Sequence, residues 1–343
     1  MGKKVLVAMS GGVDSSVAAA LLQKQGFDVA GITMRVIDSN HGKDPVSEAR
    51  QIADQLGIKH HVIDAVEFFH NTVIDYFISD YLKGYTPNPC ICCNKKLKFG
   101  LLLNRACELG YDFFATGHYA TIKDGYLCRG VDTTKDQSYF LYPVYKTDYS
   151  KVLFPLGELT KVDVRKLAEQ YGLYNANKGE SQDICFISSG DYTDFLRQKC
   201  DKGFSPGPIL DINGKIIGKH SGIHGFTIGQ RKGLGALGKP MYVKEILPKE
   251  NAIVAATDEE LMVSWIRIKE MVFNPEPVDI TRSFSVQVRY RSPAVCCHLE
   301  NIDEYGMKVY FDKPVRAIAP GQSAVIYQGD RVIGAGIICS EKE

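Results

Sequence analysis

The stretch Ser10-Gly11-Gly12-Val13-Asp14-Ser15-Ser16 stands between an apolar run, Val5-Leu6-Val7-Ala8, and a segment in which Val17, Ala18, Leu21 and Leu22 recur at helical spacing. That order is strand, glycine turn, helix. Two glycines let the backbone approach a ligand closely, and Ser15 and Ser16 open the helix. Free N–H groups and the positive end of the helix dipole therefore converge on one point, which suits an anion and phosphate above others. No Lys follows the glycines, so the pattern G-x-x-x-x-G-K-[ST] is absent, and so is G-x-G-x-x-G. An ordinary Gly-Gly turn between strand and helix is the bland alternative.

From Lys3 to about Ala120 strand and helix alternate: Val5–Met9, a helix from Ser15, Phe27–Val36, helix Pro45–Leu56, His60–Ala65, helix Glu67–Leu82, helix Lys95–Leu109, then Asp112–Thr116. The alternation predicts an α/β fold whose N-terminal part is a doubly wound parallel sheet with helices on both faces. Ligands of such sheets bind beyond the carboxyl ends of the strands, where the Gly11-Gly12 turn, Met34 and Thr116-Gly117-His118 all fall. Met34 is a candidate to pack on a base, although a Met at a strand end is more often plain core.

Tyr85-Thr86-Pro87-Asn88-Pro89 is excluded from helix by its prolines and delivers Cys90-Ile91-Cys92-Cys93 to the start of the next one. Lys95, Lys96, Lys98 and Arg105 follow with no acid among them within 94–105. A helix N-terminus and neighbouring lysines favour thiolate, so Cys93 is expected to be unusually acidic. A buried free thiol suits Cys107, and the same bland reading covers Cys128, Cys200, Cys296, Cys297 and Cys339. Ten cysteines are ordinary thiols only in a reducing compartment, and the chain has neither a signal-like N-terminus nor an apolar run of about 18 residues, so a cytoplasmic protein away from membranes is expected.

Past Thr121 the alternation weakens. Lys123-Asp124-Gly125-Tyr126 reads as a hairpin, Val162–Tyr171 as a helix ended by Gly172, and Ser181–Ile187 as a short apolar strand with Cys185 at its centre. After Gly203 short strands broken by Gly and Pro take over. Asn213-Gly214 marks a hairpin, and Thr227–Lys244 is a glycine-rich loop with Arg231, Lys232, Lys239, Lys244 and no acid. From Met262 onward, Val286–Arg289, Met307–Tyr310, Ala324–Tyr327 and Val332–Ile338 read as strands of a small closed β-barrel. Arg289-Tyr290-Arg291, on one strand, pairs basic side chains with an aromatic able to stack on a base. At 343 residues the chain suits two or three domains, placed at 1–203, 204–261 and 262–343. With net charge +1, any surface for nucleic acid must be local.

Taken together, Ser10–Ser16, Thr86-Pro87-Asn88-Pro89 with Cys93-Asn94-Lys95 and Lys98-Phe99, Thr116–Tyr119, Lys135–Tyr139, Cys185-Phe186-Ile187, His224–Leu234, Arg289-Tyr290 and Pro320-Gly321-Gln322 resemble, in order and over essentially the whole chain, the tRNA-specific 2-thiouridylases of the PP-loop ATP pyrophosphatase superfamily. The resemblance implies a PP-loop ATP pyrophosphatase domain, a small central domain and a C-terminal β-barrel that together grip the anticodon arm of tRNA. It implies that Ala8, Met9, Ser10, Gly11, Gly12, Val13, Asp14, Ser15, Met34 and Gly117 hold ATP, with Mg2+ neutralising the phosphates. Cys93 is then the nucleophilic thiol and Cys185 the persulfide carrier. Asn88, Pro89, Cys90, His118, Lys135, Asp136, Gln137, Arg289, Tyr290 and Gln322 are then the tRNA contacts. A sulfur-donor protein, a cysteine desulfurase or sulfur-relay carrier, is an implied partner. The family installs sulfur at C2 of the wobble uridine: ATP adenylates the oxygen, sulfur attacks the same carbon, and AMP departs.

One departure stands out. Where the family commonly reads Asn-Pro-Asp, this chain reads Asn88-Pro89-Cys90. Cys90-x-x-Cys93, joined by Cys185, offers three thiolates for a [4Fe–4S] cluster holding an exogenous sulfide, an alternative to the persulfide route. Two rivals of other classes are a small-molecule ligase of the same superfamily, as argininosuccinate synthetase is, and a non-catalytic RNA-binding protein. The paired thiols speak against both.

Overall fold

A computed structural model of the chain describes residues 2–37, 44–146, 148–179, 184–187, 192–200, 204–273, 279, 282–303 and 306–340. By its internal contacts the chain forms two compact units. The first comprises Met1–Val73, Cys90–Phe186 and Asp330–Val332, and the second Ile74–Pro89, Ile187–Gly329 and Ile333–Glu343.

The first unit is built on parallel strands β1 (Lys4–Ala8), β2 (Asp28–Arg35), β3 (Lys59–Asp64) and β4 (Phe113–Thr116). A short strand at Val152–Leu153 completes a sheet in the order β3-β2-β1-β4 with that strand outermost. Helices α1 (Val13–Lys24) and α2 (Pro45–Leu56) connect the first three strands. β1 is buried on both faces, as a central parallel strand must be. Val5, Val7 and Ala115 pack with Val17, Ala18 and Leu22 of α1 and Ala49 and Ile52 of α2. Phe114, one residue on from Phe113 and so directed to the other face, meets Phe99 edge-on at 5.8 Å. Helices therefore cover both faces of the sheet. Its order reverses at β1 and β4, the point where open α/β sheets bind ligands.

After β3 the chain is helical as α3 (Val66–Phe69), a π-helical stretch His70–Ile74, and α4 (Asp75–Leu82). The helix expected from Lys95 begins earlier, as α5 (Pro89–Cys93), because Pro at a first helical position costs no hydrogen bond. It continues as a π-helix, Asn94–Leu102, and ends as α6 (Leu103–Glu108). The expected hairpin forms from β5 (Ala120–Lys123) and β6 (Tyr126–Arg129), with positive φ at Asp124 and Gly125. A turn of helix α7 (Ser138–Leu141) leads to helix α8 (Lys161–Gln170), which carries a capping box between Thr160 and Asp163 and stops before Gly172 at φ +63°.

The expected strand around Cys185 is not formed: Cys185-Phe186 is a turn, and Ser181-Gln182-Asp183 lie outside the described residues. Phe186 anchors that turn by meeting the buried ring of Phe69 edge-on at 5.7 Å.

In the second unit, helix α9 (Tyr192–Lys199) precedes a four-stranded sheet. Its members are β7 (Gly207–Leu210), β8 (Ile216–His220), β9 (Tyr242–Leu247) and β10 (Ala252–Ala256), in the order β9-β10-β7-β8. Gly214, at φ +82°, turns the expected hairpin. Strands β11 (Met262–Phe273), β12 (Phe284–Gln287), β13 (Val295–Asp303), β14 (Gly306–Arg316), β15 (Ser323–Gln328) and β16 (Arg331–Ile338) pair in the order β11-β14-β13-β12-β15-β16, and β11 pairs back to β16. The barrel is closed, which removes its edges, around Ile268, Val286, Val309, Ala324 and Ile326. Strand β12 ends at Gln287, so Arg289-Tyr290-Arg291 stands on the bend and turn beyond it rather than on a strand. Cys128, Cys297 and Cys339 are buried, but Cys107 and Cys296 are exposed, against the buried reading of both.

Candidate functional site: a glycine loop beside three thiols

The loop leaves β1 and enters α1 through Gly11 and Gly12. Gly11 sits at φ +71°, and a Cβ there would lie 2.6 Å from Glu48 Cβ, so only glycine fits. No side chain caps α1, whose cap residue is Gly12. Its first-turn N–H groups are thus left for an external acceptor. The serines brace the loop from within: Ser15 Oγ donates to the Gly12 carbonyl (3.1 Å), as does Ser16 Oγ (2.9 Å), and the Ser10 N–H donates to Ser15 Oγ (3.2 Å). Gly117, just past β4, packs so closely that a Cβ would lie 2.8 Å from the Ser15 nitrogen. Met34 is half-buried at the end of β2, while Met9 fills the space that Gly31 leaves by having no side chain.

Four further side chains close around the loop, and of these only Tyr119 stands in a motif singled out from the sequence, with no role assigned to it there. Lys161 Nζ donates to Asp14 Oδ1 at 2.6 Å, and Tyr119 Oη donates to the same oxygen at 2.8 Å. Asn175 Nδ2 donates to the Gly11 carbonyl and to Ser16 Oγ, both at 3.0 Å. Lys178 Nζ pairs with Glu48 Oε2 at 2.5 Å. A lysine in a loop reads as a solvated charge until the fold shows what it touches.

From the loop a continuous path leads to the thiols. His118, next to Gly117, is buried, and its Nδ1 lies 2.7 Å from Thr116 Oγ1 while its Nε2 lies 3.3 Å from Lys98 Nζ. Lys98 can only donate, so Nε2 accepts and Nδ1 carries the proton. Burial, aided by the Lys98 charge, holds His118 well below the usual histidine range, so it is neutral. Lys98 follows Cys93 by five residues, within the Asn94–Leu102 π-helix. Bonding from i to i+5 brings residues five apart close to one face, where an α-helix would splay them.

Cys90 and Cys93 lie three apart on α5 and so share a face. Cys185 comes close enough to both that their charges raise its thiol. Desolvation, then the Cys93 and Cys90 charges, push Cys185 up to about 12. Desolvation also raises Cys90 and Cys93, and Lys98 only partly offsets it. The expectation of an unusually acidic Cys93 is therefore overturned, for two reasons: the helix begins a turn earlier, at Pro89, and burial outweighs the single lysine charge that reaches the thiol. Cys92 turns aside, its thiol 3.3 Å from the Thr72 carbonyl. Among the described residues no group of three His, Cys, Asp or Glu side chains stands as a metal site.

Of the residues expected to touch tRNA, several are engaged in the fold. The Asp136 carboxylate is buried, paired with Arg129 at 2.9 Å and accepting from Gly130 N and from Ser138 N and Oγ. Gln137 exchanges hydrogen bonds with the Tyr119 backbone. Gln322, also buried, donates to the carbonyls of Thr86 and Pro87, so it holds the proline loop. Pro89 is buried, whereas Asn88, Lys135 and Tyr290 are half-buried and Cys90 and Arg289 exposed. Arg289 has one N–H on the Ala317 carbonyl at 3.1 Å. No described helix is long and apolar enough to cross a membrane.

Three family models match in succession: a tRNA methyl transferase HUP domain over residues 3–189, a tRNA methyl transferase PRC-barrel domain over 193–257, and an aminomethyltransferase β-barrel domain over 263–338. The tRNA-specific 2-thiouridylase MnmA of Carboxydothermus hydrogenoformans is 45% identical, the match covering 98% of this chain and 97% of that one. Those of Moorella thermoacetica and Acetivibrio thermocellus are 44% and 42% identical over 97% and 98% of this chain and 98% and 99% of theirs. With identity at that level spread over a PP-loop sheet, a central β-domain and a closed barrel, the chain belongs to the tRNA-specific 2-thiouridylase (MnmA) family.

Proposed function

We propose that the chain is a tRNA-uridine 2-sulfurtransferase that converts the wobble uridine, U34, to 2-thiouridine at the expense of ATP, releasing AMP and pyrophosphate. The observation that carries this reading is that Cys185 lies within electrostatic reach of Cys93 in the same unit as the glycine loop, which is linked to Cys93 through Gly117, His118 and Lys98. The descriptions of two matching family models name methyl transfer. The relatives matched end to end are named for thiolation, and two neighbouring thiols suit sulfur transfer.

ATP suits the loop because uncapped N–H groups and a glycine cradle meet phosphate. Mg2+ supplies charge neutralisation on the phosphates. Asp14 Oδ2, which takes neither the Lys161 nor the Tyr119 bond, is the hard oxygen donor for it. Met34 and Gly117, with Ala8–Ser15, complete the nucleotide site. Uridine O2 attacks the α-phosphorus and pyrophosphate leaves. Cys185, loaded as a persulfide by a sulfur-donor protein, then yields its outer sulfur. Cys93 thiolate bonds to Cys185 Sγ, the Sγ–S bond breaks, and hydrosulfide departs with the electron pair. Hydrosulfide attacks C2, the C2–O bond breaks, AMP leaves, and one proton is released. The Cys93–Cys185 disulfide that remains takes two electrons from an external thiol reductant. The base must leave its stack first, since C2 is unreachable within it.

The division at 1–203, 204–261 and 262–343 assigns ATP and sulfur chemistry to the first part and tRNA binding largely to the others. Asn88, Cys90, Lys135, Arg289 and Tyr290 are the contacts favoured by their exposure. His118, Asp136, Gln137, Gln322 and Pro89 support them from within. A reducing cytoplasm suits the ten thiols.

The test is thiolation of tRNA by the purified protein, with iron and sulfide counted anaerobically. Cys93→Ala and Cys185→Ala are expected to abolish 2-thiouridine while Cys90→Ala retains it and no iron is found. Loss of activity together with bound iron in all three variants would replace the persulfide route by the cluster.

A further inference from the structure

The loop lacks the lysine that a Walker motif places after its glycines, yet a nucleoside triphosphate brings at least as much negative charge here as there. The fold supplies two lysines from a distant part of the chain. Lys161 Nζ lies 2.6 Å from Asp14 Oδ1, its side chain only 12% exposed. Lys178 Nζ lies 2.5 Å from Glu48 Oε2 and 3.4 Å from the Gly11 carbonyl. Both carboxylates belong to the loop's wall: Asp14 is in the first turn of α1, and Glu48 is the side chain against which Gly11 packs.

The lysines are also held from behind. Lys161 is the first residue of α8, fixed by the Thr160–Asp163 capping box. The Lys178 carbonyl accepts from Arg165 Nη1 at 2.7 Å, alongside the Ala176 carbonyl at 2.8 Å. Between them, Asn175 Nδ2 ties this segment to Gly11 and Ser16, while its buried Oδ1 has no hydrogen-bond partner.

We propose that Lys161 and Lys178 are the cations for the pyrophosphate half of ATP, exchanging Asp14 and Glu48 for phosphate oxygens when the nucleotide binds. The inference rests on the reading of the loop as an ATP site. A lysine paired with one partly exposed carboxylate gains little from it. Charge-assisted bonds to phosphate, with more charge and more acceptor oxygens, are the stronger alternative. When the α–β P–O bond breaks, its electron pair stays on the pyrophosphate. The two ammonium groups stabilise that charge without giving up a proton.

Inorganic pyrophosphate and AMP, titrated separately into the full-length protein by calorimetry, test this. Lys161→Gln and Lys178→Gln are each expected to weaken pyrophosphate binding about tenfold or more, the loss of one hydrogen bond to a charged group, and to leave AMP binding unchanged. Arginine at either position is expected to restore it. Glu48→Gln separates ligand binding from mere support, because it frees Lys178 and is expected to tighten pyrophosphate binding. The proposal is overturned if Glu48→Gln weakens pyrophosphate binding as Lys178→Gln does, if both probes weaken together, or if the glutamine variants bind pyrophosphate as the wild type does. Release of AMP and pyrophosphate by the wild type with tRNA decides the underlying reading separately. If it releases neither, the ATP site falls; if it releases both and the variants are normal, only the lysines do.

Discussion

At the scale of single residues, reactivity is set by a contest between burial and one positive charge. Desolvation raises Cys93, and Lys98 opposes it without winning. Thiolate therefore accumulates only as pH rises towards the raised value, and removing Lys98 must move that value further up. Lys98→Met is expected to slow iodoacetamide alkylation of Cys93 at neutral pH and shift its pH midpoint upwards, with Lys98→Arg restoring both; site-resolved mass spectrometry reads the outcome. An unshifted midpoint would remove Lys98 from the thiol chemistry. His118 gives a second expectation. Its folded value lies well below the usual histidine value of about 6.5, so between the two the unfolded chain binds more protons. Its contribution to stability is complete above about 6.5 and is lost as pH falls towards the folded value. His118→Gln is expected to flatten the decline in denaturant-measured stability on acidification. An equally steep decline would mean that other buried histidines carry it.

At the scale of elements, the start of α8 bears more than its length implies. The capping box has Thr160 Oγ1 and the Asp163 carboxylate satisfying each other's backbone N–H groups, and Lys161 stands immediately inside it. Thr160→Ala is expected to cost about 1 kcal/mol of stability and also to raise the KM for ATP, because Lys161 loses its anchor. A melting curve and a KM determination check the two halves, and normal values of both would show the cap to be incidental. Gly11→Ala is the harsher change. It combines a left-handed φ of +71° with a contact to Glu48 Cβ at 2.6 Å, so ATP use is expected to disappear even where the protein still folds, as circular dichroism would show. The π-helix over 94–102 belongs at this scale too, since a helix one residue wider per turn is what turns Lys98 towards Cys93.

At the scale of the whole molecule, a net charge of +1 does not announce an RNA-binding protein. The second unit nonetheless exposes Arg231 and Lys232 in its glycine-rich loop and Arg289 beyond β12. Each is expected to neutralise one phosphate, so replacing any one by Ala weakens tRNA binding and reduces the salt slope by about one unit. Filter binding over a range of salt concentrations measures it, and three unchanged slopes would make these ordinary solvated charges.

What the sequence determined by itself was whatever depends on near neighbours. Strand–helix alternation declared the parallel sheet, the Gly11-Gly12 turn declared the tight strand-to-helix loop between β1 and α1, and Gly125, Gly172 and Gly214 punctuated the chain where positive φ was required. The closed barrel was legible from its short alternating strands, although the pattern ran Val286–Arg289 past the true strand end at Gln287. Only the tertiary structure decided that Cys185 lies within electrostatic reach of Cys90 and Cys93, that Lys161 and Lys178 pair with carboxylates in the wall of the loop, and that Asp136 and Gln322 face inward. Those outcomes rest on contacts between residues far apart in the chain and on desolvation by everything packed around them. Neither is encoded in the spacing of a motif, which is why Cys93, flanked by lysines, looked acidic and is not.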